Sequence, residues 1–239
     1  MLRKLSPVTL VAIAIFLVAC APAAPPSPVV QTVVVPQTVV VTAPPPPTAT
    51  QAASAAAVPT IPAPAAVTVD AKTTAYLVLD LTSVICTPRK SCVASLPAAA
   101  ALLKKARDAS VFVVYSDTPT AGSTILPEVA QQPDDPKVTG RADKFFGTNL
   151  DDILKAKGIK TVVIAGSAAN GAVLYTAFGA NLRGYVVVVA EDGISSDDAF
   201  AVLLTRYQLL NQPGFTNPDN KPLQATGVTL SRTALITFK

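Results

Sequence analysis

Five continuous apolar runs of strand length mark the C-terminal two-thirds of the chain: residues 76–79, 111–115, 161–165, 185–190 and 233–238. None alternates apolar with polar, so each reads as a strand buried on both faces. Helical stretches separate them. Residues 96–109 are rich in Ala, Leu and Lys, residues 150–157 stop at Gly158, and residues 172–182 stop before Gly184. Asp197 or Asp198 is placed to cap residues 199–210, which end before Pro213. Strand and helix in alternation predict an α/β fold, a doubly wound and mainly parallel sheet with helices on both faces. Such three-layer, Rossmann-like sheets bind ligands at the carboxyl ends of their strands. The candidate positions are therefore Asp80, Asp117, the turn 166–170, and Glu191 with Asp192.

The N-terminal third has a different character. Residues 21–69 carry no charged residue and hold 12 of the 22 prolines, while all 11 glycines lie at Gly122 or beyond. Arg3 and Lys4 precede an uncharged run from Leu5 to Ala19, which is short for a membrane span and suits a secretory leader. The ending Leu17-Val18-Ala19-Cys20 resembles a bacterial lipobox, which implies cleavage before Cys20 and lipid on its sulfur; a plain signal peptide cut near Ala19 or Ala21 is the alternative. The expected organisation is a leader over 1–19, a lipidated Cys20 heading an extended stalk over 20–69, and one folded domain over 70–239. Several acyl chains anchor stably where one does not. The expected location is the cell envelope, on the extracytoplasmic side. At about 3.1 Å per residue the stalk reaches on the order of 150 Å. The repeated Gln-Thr-Val-Val-Val at 31–35 and 37–41 has strand propensity, but the neighbouring prolines favour an extended tether.

Composition removes several function classes. The chain has no histidine and three cysteines, so zinc fingers, iron–sulfur clusters and two-histidine metal sites are excluded. No cofactor is expected. Without Arg3 and Lys4 the balance is 17 basic to 15 acidic residues, and aromatics are 5%. A nucleic-acid partner is excluded on that ground. Lys104, Lys105 and Arg107 read as a solvated helix face, and Asp117 and Asp192 as loop hydrogen-bonding groups.

At the strand ends the chain resembles the isochorismatase-like, or cysteine hydrolase, family over residues 74–210. The resemblance rests on Tyr76-Leu77-Val78-Leu79-Asp80, on Phe145-Phe146-Gly147-Thr148-Asn149-Leu150, on Gly158-Ile159 and on Val162-Val163-Ile164-Ala165-Gly166. Thr176-Ala177, Gly184-Tyr185 and Glu191-Asp192 complete it in order and spacing. It implies a cysteine nucleophile at the start of the helix after the Gly turn, an aspartate base from the first strand, and a lysine supporting the charges. Counted from Gly166, the nucleophile slot holds Ala172. The lysine slot, six residues before the first aromatic of Phe-Phe-Gly-Thr, holds Thr139, with Lys144 out of phase by five. Asp80 keeps its place, and a gap in the loop makes Lys144 the substitute candidate.

The resemblance also implies a non-proline cis peptide at Ser167-Ala168, with Ala168 and Ala172 N–H groups forming an anion-binding corner at the helix start. An ordinary strand-to-helix turn is the alternative there, and for Asp80 it is a cap. Cys86 and Cys92 bracket a short loop in a secreted domain, which favours a disulfide over a displaced nucleophile. The expected function is a membrane-anchored binding or scaffold module built on a degenerate hydrolase domain, with a small-molecule ligand. The rival is an active hydrolase of an amide, ester or vinyl ether using Asp80 and Lys144. The family's habit of assembling leaves a homo-oligomer open.

Overall fold

β2 (Thr74–Leu79) is buried along its whole length and sits inside a six-stranded, fully parallel sheet, as its unbroken apolar run requires. The strand order is β4 (Lys137–Thr139), β3 (Phe112–Asp117), β2, β5 (Thr161–Ser167), β6 (Val186–Ser195) and β7 (Val228–Ser231). A separate parallel pair joins β1 (Val67–Val69) to β8 (Ile236–Phe238). This computed structural model describes residues 57–239. The leader, Cys20 and residues 21–56 lie outside the described residues. Among the described residues no helix is long and apolar enough to cross a membrane.

Alternate side chains of β2 divide the core in two. Tyr76 and Val78 pack with Leu96, Ala99 and Leu102 of α1 (Lys90–Asp108), whereas Leu77 and Leu79 pack on the opposite face. That second face carries α2 (Leu150–Ala156), α3 (Leu174–Leu182) and α4 (Ala199–Asn211), through Leu154, Ala177 and Leu209 among others. The three-layer α/β architecture is thus as expected.

Four details differ from the sequence reading. The run 233–238 is not one strand: 233–235 forms a 3-10 turn, and only 236–238 is extended, in the small sheet. The sixth main strand is β7, whose four residues include Thr229 and Ser231 and lack an apolar signature. β4 is three residues long with an exposed, buried, exposed pattern at the sheet edge. α1 starts at Lys90, running through Pro97, which costs one backbone hydrogen bond but does not end the helix.

The folded unit also reaches upstream of the expected boundary at Asp70. Val67 and Val69 are buried while Thr68 is exposed, a period-two pattern that a charge-free segment can still carry. Ala65 N–H donates to Leu230 O at 2.9 Å, and Ile61 packs against the core.

Candidate active site

The carboxyl ends of β2, β3 and β5 converge on Asp80, the residue that follows β2. Asp80 adopts a left-handed backbone with φ 52°, which a non-glycine residue seldom holds and which re-aims its carboxylate off the strand axis. Gly166 of β5 makes the approach possible. Its φ is 148°, and a Cβ there would lie 2.1 Å from Leu79 O. Only glycine fits between the two strands at that point.

Three groups hold the Asp80 carboxylate. Ser116 Oγ donates to Oδ1 at 2.7 Å and accepts from the Asp80 N–H at 3.2 Å. Lys144 Nζ stands 2.7 Å from Oδ2, with the two side chains 0% and 5% exposed. Burial pushes the Asp80 carboxyl above its ordinary range, outweighing the opposing pull of Lys144 and Ser116. The remaining protons of Lys144 are also engaged, by Gly140 O at 2.8 Å and Asp117 O at 3.4 Å. An ammonium has three donors. Lys144 therefore positions and neutralises Asp80 and has no proton left for a ligand.

The loop carrying Lys144 is fixed from α3. Lys144 N–H donates to Thr176 Oγ1 at 3.1 Å, and Thr176 Oγ1 reaches Ala142 O at 3.4 Å. Gly179, one turn further on, lets the loop dock, since a Cβ would come within 2.9 Å of Asp143 Oδ1. Thr139, which the sequence resemblance puts in the lysine slot, is exposed on β4 opposite Asp117. The loop between Gly140 and Lys144 curls back, so a lysine five residues out of phase reaches the aspartate.

Ala172 lies in a π-helical turn, 169–173, that precedes α3, and the residue is 4% exposed within the core cluster. The Ser167-Ala168 peptide is cis. In the expected anion-binding corner, the N–H groups of Gly171 and Val173 both donate to Ala168 O, at 3.0 and 3.2 Å. Ser167 pairs in register with Ser195 of β6, and neither buried hydroxyl has a hydrogen-bond partner among the described residues.

Cys86 and Cys92 are joined by a disulfide and fully buried, so neither presents a thiol. The stretch between Asp80 and Cys86 braces the segment that follows Asp117. Ser83 N–H donates to Thr124 O at 2.8 Å, and Leu126 N–H donates to Leu81 O at 3.1 Å.

Other candidates do structural work. Asp117 accepts from Thr118 N–H at 2.7 Å and Ser123 Oγ at 2.6 Å, and Asp192 accepts from Thr233 N–H at 3.0 Å. Lys104 is solvated beside Asp108, but the rest of that helix face is not free: Lys105 Nζ donates to Thr233 O at 2.8 Å, and Arg107 pairs with Asp135. Sequence reasoning missed the cluster in which Arg206 and Arg232 grip the buried Glu191 at 2.7 and 2.9 Å. It pins α4 and the segment after β7 to a bulge of β6 between Val189 and Ile194.

A cavity of about 370 Å³ opens beside Asp80, lined by Thr118, Pro119, Thr120, Arg141 and Ala142. A larger cleft of about 570 Å³ lies elsewhere, among residues such as Phe112, Arg107, Asp135 and Ile159. Its Arg107 and Asp135 already satisfy each other, and it holds neither Asp80 nor Lys144 nor any residue of the turn 166–173. Among the described residues no group of three His, Cys, Asp or Glu side chains gathers to hold a metal.

Residues 74–203 match the family model described as the isochorismatase domain. Over 81 residues the chain is 37% identical to the uncharacterized isochorismatase family protein YwoC of Bacillus subtilis (strain 168). That match spans 34% of this chain and 43% of that protein, less than half the length of the curated relative. A cysteine hydrolase from Pseudomonas syringae pv. phaseolicola 1448A superposes with a TM-score of 0.58 at 21% identity, covering 74% of this chain and 94% of that one. The nicotinamidase of Staphylococcus aureus gives 0.58 at 19%, covering 67% and 99%. N-carbamoylsarcosine amidase from Thermoplasma acidophilum gives 0.54 at 23%, covering 67% and 96%. At these identities the structures share the fold.

Proposed function

This chain belongs to the isochorismatase family, and we propose that it is a lipid-anchored, extracytoplasmic member that binds a small molecule without covalent catalysis. One observation carries the reading. Counted from Gly166, the family resemblance assigns the cysteine's slot to Ala172, whose place in the turn before α3 is compatible with that assignment, and alanine has no electron pair to give. Three features support a retained site: the glycine-dependent approach of β5 to β2, the helix start, and a buried carboxylate. A pocket that keeps its shape and loses its reactive atom retains binding. Purified full-length chain should turn over no member of a panel of small amides, esters and vinyl ethers. Turnover that disappears in Asp80→Ala overturns the reading.

A second reading has its own support. The raised Asp80 carboxyl holds its proton to higher pH than an ordinary aspartate. Hydrolysis of a vinyl ether without an enzyme nucleophile needs such a donor to protonate the vinyl carbon, after which water adds to the cation and the C–O bond breaks. In this reading Asp80 protonates the substrate and Lys144 holds the carboxylate that is left. Vinyl ether turnover in the same panel, with no turnover of amides or esters, supports it.

Anchoring rests on Arg3 and Lys4, the uncharged leader and Cys20. Replacing Cys20 with serine should abolish incorporation of labelled fatty acid and release the protein from the membrane fraction. If the variant still partitions with membranes and the wild type carries no lipid, the anchor is of another kind.

A further inference from the structure

The carboxylate that lines the cavity, Asp80, is already paired, and the nearby Asp117 and Asp143 have hydrogen-bond partners of their own. Asp80 is held by Lys144 and Ser116, Asp117 by Ser123 and the Thr118 N–H with Lys137 Nζ 3.9 Å away, and Asp143 by the Phe145 N–H. Lys144 has no donor to spare. The charge left over is Arg141, which lines the cavity, is exposed, and forms no ion pair or side-chain hydrogen bond with any described residue. The cavity therefore has a neutralised floor and one unmatched guanidinium at its wall.

From this we propose that Arg141 is the specificity-determining residue of the site and that the ligand is a small molecule bearing a carboxylate. A guanidinium offers paired N–H donors whose spacing fits a carboxylate in two parallel bonds. The hydroxyls of Thr118 and Thr120, 3.1 Å apart, lie on the same cavity wall to take a neighbouring polar group. Asp80 Oδ2 and Oδ1 each retain acceptor capacity toward a ligand N–H or O–H. The ligand then presents its negative end to Arg141 and a donor to Asp80. The opposite orientation sets its carboxylate against Asp80 with no free cation beside it. The inference rests on the site being a small-molecule pocket, as proposed above, and adds the charge class.

The test uses shape-matched pairs differing only in charge: acetate and acetamide, malonate and malonamide, benzoate and benzamide. Each is titrated into the full-length chain by calorimetry, with unfolding midpoints measured at saturating concentration. The wild type should bind at least one carboxylate about tenfold more tightly than its amide, the size expected for one charge-assisted pair. Added salt should narrow the gap. Arg141→Gln, on an exposed loop position, should fold with an unchanged midpoint in the absence of ligand and lose the preference, while Arg141→Lys keeps part of it. If carboxylate and amide bind alike, or Arg141→Gln keeps the preference, the inference is overturned and the pocket reading stands. If no member of any pair binds the wild type, the pocket reading falls and the inference falls with it.

Discussion

Lys144 Nζ lies 2.7 Å from Asp80 Oδ2, both side chains are buried, and the two residues are 64 positions apart in the chain. The lysine arrives from the loop before α2, five residues past Thr139, the position the sequence resemblance points to. Removing one member of a buried pair leaves the other uncompensated, at a cost of about 3–5 kcal/mol. Lys144→Met should therefore lower stability by that order in a denaturant titration. Adding Asp80→Asn to it should recover part of the loss. Additive effects of the two changes would contradict a direct pairing.

The same carboxyl makes a prediction about pH. Its folded value lies above the unfolded one, because burial outweighs Lys144. Between those two values the folded state binds more protons than the unfolded state. The Asp80 contribution is then fully present below about pH 3.8 and is lost as pH rises through the raised folded value. Stability measured from acid to neutral pH should fall less steeply in Asp80→Asn than in the wild type. A steeper fall in the variant would mean that the carboxyl is depressed.

Gly166 sets the spacing between β5 and β2 at the site. A Cβ placed 2.1 Å from Leu79 O has backbone, not a movable side chain, in its way. Gly166→Ala should cost about 3 kcal/mol or more and displace Asp80 from Ser116. Gly214→Ala is the comparison: its φ is 84° and nothing lies within 4 Å of the added carbon, so only the backbone penalty applies.

The Cys86–Cys92 bridge closes a short loop, so its stabilising effect on the whole domain is modest, about 2 kcal/mol in the chain-entropy picture. Its local effect should be larger. Reduction, or the double change to serine, should raise hydrogen exchange at Cys86 or its replacement, whose N–H donates to Thr82 O, and at Ser83 and Leu126, whose backbone bonds tie the stretch before the bridge to residues 124–126. Two titratable thiols in native, unreduced protein would contradict the bridge.

The position of Asp80 was legible because a continuous apolar run ending in an acid is a simple pattern, and parallel sheets put ligands at such ends. Lys144 was legible as a residue, but not as a partner. Its reach depends on the curl between Gly140 and Lys144 and on the Thr176 hydroxyl that pins it, and neither has a periodic signal. Arg141 has no signal of its own in the sequence, because what singles it out is that the carboxylate lining the same cavity, Asp80, is already paired with Lys144. β4 and β7 escaped notice for the converse reason: short strands at a sheet's edges lack a continuous apolar run. The grip of Arg206 and Arg232 on Glu191 joins residues from α4, β6 and the segment after β7, so local sequence could not reveal it.

The central claim is that Ala172 stands where a nucleophile would act and that the wild type forms no covalent intermediate. Intact-mass measurement after incubation with p-nitrophenyl acetate tests both halves in one experiment, on wild type and Ala172→Cys in which Cys86 and Cys92 remain bridged. The account predicts no adduct on the wild type, and on the variant one acetyl group mapped by peptide analysis to the substituted position. An acetyl adduct on the wild type within the Asp80 cavity, or a variant whose new thiol stays unmodified, would contradict it.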